Sequence, residues 1–342
     1  MKKLFITMVA LISATMSFAQ SSQIVTLSHE GKISTFYGTS AFKEAMTAAH
    51  DGDVVTLSSG TFNAINITKA VTIRGAGMQT DSITKTFPTV IQGEFTIAIP
   101  DSVSSTLTME GIYHHNFMWI SGTLKNAKFI KNRFESFCYA TSGTNKMQNL
   151  SFIHCKIMNG LSLPTNSSAS CVNSVIFYPY SLDVTTSNFE FTNCVIRLQN
   201  DDKEWTNVKR KGTDLVKSSS FANCIIYSTT YNTTNTSTSS YIESYGNPYL
   251  HNSNVAYYCI GGYGNTVLQN SIFKGIVNNN TNTNVGDLLK LFKSWNGGYN
   301  DLLTFELTDE AKTKYLGSDG TQVGIYGGSL PFDPIPTNGS PA

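Results

Sequence analysis

A short phrase that recurs along the chain constrains its fold more than any other sequence feature. Each copy begins with an aromatic or aliphatic residue, continues through a polar position to Asn or a substitute, and ends in alternating apolar residues. The clearest copies lie at residues 129–134, 152–157, 191–196 and 221–226, and looser copies lie at 172–176 and 268–273. Self-similarity of this kind is the signature of a repeat architecture.

The Asn position gives the register of the copies. The residues at this position are Asn132, His154, Asn173, Asn193, Asn223 and Asn270. Successive gaps are 22, 19, 20, 30 and 47 residues, and the last gap fits two coils with a degenerate copy near 252–257. A period near 20 residues, lengthened in places by insertions, is typical of a three-faced, right-handed parallel β-helix. Inserted residues project from the turns of such a fold and do not disturb the stacked strands.

Other repeat architectures explain this pattern less well. Helical arrays are excluded because the phrases alternate with period two and are rich in Val, Ile, Phe and Thr. A leucine-rich repeat needs Leu at fixed offsets, which the phrases lack. A β-sandwich is the remaining alternative, but it gives no reason for one phrase to recur in register. We therefore predict an all-β chain that forms a right-handed parallel β-helix.

Both ends of such a solenoid need covers, because open sheet edges pair with other chains. Ser40 is a candidate N-cap for a capping helix at residues 41–50, whose apolar residues follow helical spacing. The predicted segments are a signal peptide (1–19), an N-terminal segment with the capping helix (20–53), β-helix coils (54–284) and a C-terminal capping segment (285–342). In this last segment, we expect Val323, Ile325 and Tyr326 to cover the apolar end of the last coil.

The first residues and the composition predict where the protein acts. Lys2 and Lys3 precede an apolar run that ends in small residues at the cleavage positions, and the run is too short to span a bilayer. We therefore predict export to the periplasm, the cell surface or the medium, without a transmembrane segment. The net charge is +1 and only 14% of residues are charged, which argues against nucleic acid as a partner. We expect a monomer.

Six cysteines in an exported chain first suggest disulfides. Cys155, Cys194 and Cys224 share one slot of the repeat, and a further copy of the phrase separates the first two by about 10 Å, beyond disulfide reach. Adjacent parallel strands also bridge poorly, so we predict buried thiols that pack as small core residues. The state of the remaining three stays open: Cys138, Cys171 and Cys259.

Two polar features are interpreted as structural. Asn at one position of successive coils predicts a ladder of side-chain amides that bond to each other and to turn backbone. His114 and His115 are adjacent and lie near Trp119. Neighbouring residues of a strand face opposite sides, so we expect one histidine to pack inward and the pair to form no metal site.

Two stretches resemble known families. The helix followed by "GDVVTLSSGTF", "INITKAVTIRGAG" and "TVIQG", within residues 41–93, resembles the N-terminal cap and first coils of the pectate lyase-like superfamily. Residues 316–328, followed by Pro331 and Phe332, resemble the closing segment of secreted β-helix repeat proteins from Bacteroidetes. The first resemblance implies the fold rather than an activity.

The catalytic motifs of that superfamily are missing from the chain. The hydrolases related to polygalacturonase carry Asn-Thr-Asp, Asp-Asp and Gly-His-Gly motifs, and here only a bare pair stands, Asp201 and Asp202. The Asp pair, flanking Gln and Arg-Pro-Trp segment of pectin methylesterases are also absent. Pectate lyases hold Ca²⁺ with acidic ligands, and no carboxylates repeat in register to do so. We expect no cofactor, with Ca²⁺ only for a lyase, and favour a protein that is not an enzyme.

The densest polar group is an insertion at residues 200–214. Its candidate glycan-binding residues are Asp201, Asp202, Trp205, Lys209, Arg210 and Lys211. Trp205 suits stacking on a sugar ring and the basic residues suit a carboxylate or sulfate, while Lys209 or Arg210 would be the base of a lyase. The alternative is a solvated charged loop with Trp205 packed against the coil.

Three functions remain open at this point. The favoured one is a non-catalytic β-helix that binds polysaccharide along its flank, since charge is low and catalytic motifs are missing. The second is a polysaccharide lyase or glycoside hydrolase whose site lies near residues 201–214. The third is a structural or adhesive surface protein. A groove lined by two acids would favour a hydrolase.

Overall fold

The structure, a computed structural model, describes most of the N-terminal two thirds of the chain and part of the remainder. The described residues are 23–137, 144–177, 179–181, 187–198, 220–228, 240–244, 267–269, 272–277, 292–293 and 304–333. The predicted signal peptide and the insertion at residues 200–214 lie outside them. Within these ranges the regular secondary structure is almost entirely β-strand, with two short helices.

Most strands belong to two long sheets. The first has 11 strands, which in spatial order are β2 (Lys32–Tyr37), β1 (Ile24–His29), β3 (Val54–Leu57), β5 (Thr72–Arg74), β8 (Thr108–Glu110), β11 (Lys128–Ile130), β14 (Leu150–Ile153), β17 (Ser168–Val172), β20 (Asn188–Thr192), β22 (Ser220–Ala222) and β25 (Val267–Gln269). The second contains β24 (Ser240–Ser244), β26 (Ile272–Val277), β23 (Ile225–Ser228), β21 (Val195–Leu198), β18 (Val175–Phe177), β15 (Lys156–Ile157), β12 (Arg133–Phe137), β9 (Ile112–Ile120), β6 (Thr89–Gln92) and β4 (Gly60–Asn63).

Three further strands belong to the second sheet, which has 13 strands in all, but lie off its main path. Of these, β7 (Phe95–Ile97) pairs with the end of β9, and β16 (Leu161–Leu163) pairs with β12 and with β19 (Pro179–Ser181). The small sheet joins β10 (Thr123–Lys125) to β13 (Lys146–Gln148). From β3 to β25 every pairing in the first sheet is parallel and joins successive coils. The predicted parallel β-helix is therefore confirmed. Because β22 pairs directly with β25, and β23 with β26, the prediction that the last gap of 47 residues holds two coils was wrong.

One inward column shows how the repeat builds the core. Its buried members, paired in register from coil to coil, are Val55, Ile73, Met109, Phe129, Phe152, Cys171, Phe191 and Phe221. The rings of Phe129 and Phe152 stack with centroids 5.0 Å apart, as do those of Phe191 and Phe221. Stacking of this kind adds to the hydrophobic burial that holds neighbouring coils together.

Five successive coils, from β11 to β22, turn from the first sheet into the second through one non-glycine residue in the left-handed conformation. These residues are Lys131, His154, Asn173, Asn193 and Asn223, with φ between 44° and 55°. Asn tolerates this region better than most residues, which explains why it recurs in the phrase.

In one coil, the turn position predicted from the sequence was assigned to the wrong residue. Ile130 pairs with Ile153, so Lys131 and not Asn132 corresponds to His154, and the first gap is 154 − 131 = 23 residues. Asn132 instead occupies the slot of Cys155, because Arg133 pairs with Lys156. The prediction was wrong because Lys has no preference for the left-handed conformation. The neighbouring coils impose this conformation on Lys131.

The slot after each turn is a column of buried hydrogen-bond donors. Its members are Asn132, Cys155, Ser174, Cys194 and Cys224, all fully buried. Ser174 Oγ donates to the carbonyls of Val172 (2.8 Å) and Phe152 (3.3 Å), and the Cys194 thiol reaches the equivalent carbonyls. The predicted buried thiols are confirmed, and Cys171 is also free and buried. Cys138 and Cys259 lie outside the described residues.

The predicted capping helix is present as α1 (Ala41–Ala48). It buries Phe42 and Met46 against the first strands, and Ser40 stands at its N-cap without a side-chain capping hydrogen bond. The helix ends before residue 50 because Ala49 is extended. The hairpin of β1 and β2, which extends the first sheet in the antiparallel sense, had no counterpart in the sequence prediction.

The described part of the C-terminal segment packs along the side of the coils. Outward-facing Val175 and Val195 of the second sheet form a separate apolar cluster with Val323, Ile325 and Phe332. A helix, α2 (Asp309–Lys314), also contributes to this cluster through a buried alanine. The expected placement of Val323, Ile325 and Tyr326 across the end of the last coil was therefore wrong, since outward apolar side chains of the flank bind them instead.

The same segment accounts for the recurring Asn side chains. Asn173 Nδ2 donates to the carbonyls of Ile325 (2.9 Å) and Gly327 (2.8 Å), and Asn223 Oδ1 accepts from Ser318 N (3.0 Å). These amides bond the covering segment rather than one another, so the predicted amide ladder does not form at these two positions.

Candidate functional site: an aromatic row beside a cleft

The structure does not test the residues that the sequence singled out for glycan binding. Asp201, Asp202, Trp205, Lys209, Arg210 and Lys211 all lie outside the described residues. Their role in binding therefore stays a prediction.

Strand β9 carries a row of aromatic side chains on its outer side. Tyr113, His115, Phe117 and Trp119 are exposed or half-buried, and the residues between them point inward or are largely covered. The rings of Tyr113 and His115 have centroids 5.6 Å apart, and those of Phe117 and Trp119 stack at 5.9 Å. The row follows from the two-residue period of a strand, which places alternate side chains about 6.7 Å apart on one face.

A β-bulge opens the surface beside this row. Phe134 of β12 pairs with His114, but Ser136 pairs with Phe117, so His115 and Asn116 together face Glu135. A bulge of this kind bends the strand and redirects its side chains, and bulges are common next to binding sites. The Gly93 N–H donates to Asn116 Oδ1 (2.9 Å) and fixes the bulged residue from the preceding coil.

The bulge forms one wall of a cleft of about 390 Å³. The residues that line it are His115, Asn116, Phe117, Glu135, Ser136 and Asn159. Phe117 is 39% exposed, so its ring presents a face to a ligand. The volume falls within the range of small-ligand sites, and the lining combines an aromatic ring with amide, imidazole and carboxylate groups.

Hydrogen bonds hold the charged groups and the rings in place. Glu135 Oε1 accepts from the Tyr113 hydroxyl (2.7 Å) and from Arg133 Nη2 (3.1 Å). The Arg133 guanidinium also lies 4.4 Å above the Tyr113 ring, a cation–π contact. Trp119 Nε1 donates to Glu94 Oε2 (3.2 Å). Both ends of the row are therefore held by carboxylates on neighbouring coils.

The chemistry of the lining favours binding over hydrolysis. A glycoside hydrolase normally uses two carboxyl groups on opposite sides of the scissile bond. Among the described residues that line the cleft, Glu135 is the single carboxylate, and it is engaged by Arg133 and Tyr113. A glycoside hydrolase needs two carboxyl groups, whereas the described lining of this cleft provides one, and that one is in an ion pair.

The histidine beneath the row has a structural role. His114 is fully buried, stacks on Phe134 with centroids 4.5 Å apart, and places Nε2 3.3 Å from Asn132 Oδ1. Burial lowers the pKa of His114 to about 3, so the imidazole is neutral at physiological pH. His115 is exposed on the opposite side, and the prediction that the pair faces apart is confirmed.

Sequence reasoning noticed these residues but missed the site. It considered the histidine pair and Trp119 as a question of metal binding, whereas the informative signal was four aromatic residues at alternate positions, 113 to 119. Glu135 and Asn159 carry no such signal, because they reach the cleft only through the bulge and the stacking of coils.

Comparison with known proteins adds no family to this description. No protein-family model, no curated protein and no solved structure matches the chain. The two helices of the described residues are too short and polar to cross a membrane. The function must therefore be argued from the fold and the cleft.

Proposed function

We propose that this is an exported β-helix protein that binds polysaccharide along its flank, in the cleft beside the aromatic row. The observation that carries the proposal is the row itself, Tyr113 to Trp119, next to a polar cleft on the outside of the coils. Aromatic rings bury the apolar C–H faces of a sugar, while polar groups beside them bond its hydroxyls.

The fixed positions of the rings support this use. Tyr113 and Trp119 are hydrogen-bonded to Glu135 and Glu94, and Phe117 stacks on Trp119. Side chains that are already ordered lose little conformational entropy when a ligand binds. A pyranose ring, which presents a face of C–H groups, would meet a surface that needs little rearrangement.

Sequence resemblance gives further support. Residues 41–93 resemble the pectate lyase-like superfamily, whose enzymes hold elongated glycans along the flank of the coils, and the closing segment resembles secreted proteins of Bacteroidetes. Residues 1–19 have the features of a signal peptide, which supports export. We include the insertion with Trp205 and Lys209 as a second contact region for the same chain of sugars.

The test is a glycan array followed by affinity measurements on variants. We expect binding to at least one polysaccharide, and Phe117→Ala should weaken it about tenfold or more, as loss of a central aromatic contact usually does. Phe87→Ala is the matched control, because Phe87 is a 70% exposed ring that does not line the cleft.

Two outcomes would contradict the proposal. If no glycan binds, the structural or adhesive alternative gains weight. If Phe117→Ala and Phe87→Ala bind equally well, the cleft is not the site. A lyase assay that follows the absorbance of the unsaturated product runs beside the array, and product formation would favour the enzyme alternative.

A further inference from the structure

Three potential metal ligands converge on the N-terminal cap, far along the chain from the aromatic row. His29 ends β1, His50 follows α1, and Asp53 precedes β3. His29 Nδ1 lies 2.8 Å from Asp53 Oδ1, and His50 Nδ1 lies 3.9 Å from Asp53 Oδ2. One ligand atom from each residue lies within 4.8 Å of the other two.

We propose that His29, His50 and Asp53 bind a divalent transition-metal ion, for which Zn²⁺ is the best fit. Two imidazole nitrogens and one carboxylate oxygen form a frequent donor set for zinc, with water in the fourth position. The proposal is independent of glycan binding, since no residue of the cleft takes part.

The backbone places the three donors on rigid elements. The β1–β2 hairpin turns through Glu30 and Gly31, both with positive φ, so β1 ends at His29. The turn after α1 is closed by a hydrogen bond from Asp53 N to His50 O (3.1 Å). The His50 N–H donates to Asp53 Oδ2 (2.7 Å), which orients the carboxylate before any ion binds, as outer hydrogen bonds do in metal sites.

A simple ion pair explains only part of this arrangement. The bond between His29 and Asp53 satisfies those two residues, but it gives no role to His50, whose side chain is 70% exposed. The His50 ring nevertheless stacks on His29 with centroids 4.5 Å apart. Its Nδ1 faces the same carboxylate from beyond hydrogen-bond distance. A shared metal ion accounts for all three orientations.

The distances suit a tetrahedral zinc site after small shifts. Bonds of about 2.0–2.1 Å place neighbouring donors roughly 3.3 Å apart. The two separations from Asp53, 2.8 and 3.9 Å, lie on either side of that value, and the largely exposed His50 side chain has room to move toward the ion. The ion would bind His29 Nδ1 in place of its hydrogen bond to Asp53, and the neutral ring would carry its hydrogen on Nε2, so the number of protons does not change.

The carboxylate of Asp53 favours a cation at this place. It is mostly buried and provides the negative charge that attracts the ion. The nearby Lys69 ammonium is bound by the carbonyls of Met46, Thr47 and Ala49 at the C-terminal end of α1.

The test is calorimetric titration of the purified, untagged chain with ZnCl₂ after treatment with a chelator. We expect one tight Zn²⁺ per chain, and His50→Ala should weaken it about tenfold or more, since a ligand is lost. His115→Ala is the matched control, because it removes another exposed histidine far from the cap. Zinc at the same concentration should also raise the melting temperature of the wild type more than that of His50→Ala.

The outcomes separate a built site from incidental binding. Absence of zinc binding by the wild type, or equal affinity in the wild type and His50→Ala, would overturn the proposal. If His50→Ala unfolds, His50→Gln keeps a polar side chain of similar length and carries the same expectation. Co²⁺ added in place of Zn²⁺ should give the absorption of a tetrahedral complex in the wild type and lose it in either variant.

Discussion

Acid is predicted to destabilise this protein through the buried His114. The pKa of this imidazole is 6.5 in an ordinary setting and falls to about 3 in the folded chain, because burial disfavours the charged ring. The unfolded chain therefore binds a proton between these values that the folded chain does not. The stability that the neutral ring contributes is complete above about pH 6.5 and is lost as the pH falls toward about 3.

The size of the effect follows from the shift. Each unit of pKa difference corresponds to about 1.4 kcal/mol. The contribution of His114 to the free energy of unfolding should therefore fall by about 3 kcal/mol between about pH 7.5 and pH 4.5, and by about 5 kcal/mol at the acid limit.

The assay is urea unfolding of the wild type and His114→Gln across this pH range. Gln keeps an amide N–H that can donate to Asn132 Oδ1 but does not titrate. We expect the variant to be less stable at neutral pH and the difference between the two proteins to shrink by about 3 kcal/mol at about pH 4.5. A difference that stays constant with pH would refute the argument, because other titrating groups are common to both proteins.

Three further predictions concern the flank and the donor column. Asn173→Gly keeps the left-handed turn but removes the hydrogen bonds to Ile325 and Gly327. The variant should lower the free energy of unfolding by about 2 kcal/mol and expose residues 304–333 to limited proteolysis. An unchanged cleavage pattern would contradict this prediction. Cys155→Ser should cost less in urea unfolding than Cys155→Ala, by about 1 kcal/mol, because Ser174 already fills the same slot; the reverse order would refute the donor column. At most two of the six cysteines should react with a thiol reagent in the native state, because four are buried and burial raises the pKa of Cys155 to about 12. Labelling of a third cysteine in the folded protein would contradict the buried position of these thiols.

The repeat predicted the coils because its signal is local. Alternating apolar residues and a turn position that is most often Asn recur from coil to coil, so the period reveals the stack without knowledge of any contact. The long last gap was assigned two coils, although β22 pairs directly with β25. The other error of register arose where Lys131 takes the turn in place of Asn. There the conformation is imposed by neighbouring coils and leaves no trace in residue type.

The features that escaped prediction depend on distant contacts. Asn173 bonds Ile325, 152 residues later, and no periodicity announces such a pairing. The cleft requires Glu135 and Asn159 to meet the bulge of β9 across three coils, and His29 meets Asp53 only after the unpredicted hairpin has formed. In each case the residue types were visible, but the geometry that brings them together was not.

The most direct test of the proposed glycan site compares two tryptophans. Trp119 belongs to the aromatic row, whereas Trp205 belongs to the insertion that the sequence first suggested. For a polysaccharide that binds the wild type, we predict that Trp119→Ala weakens affinity about tenfold or more, and that Trp205→Ala weakens it less, with both variants folded by circular dichroism. Loss of binding in Trp205→Ala with wild-type affinity in Trp119→Ala would contradict the assignment of the cleft.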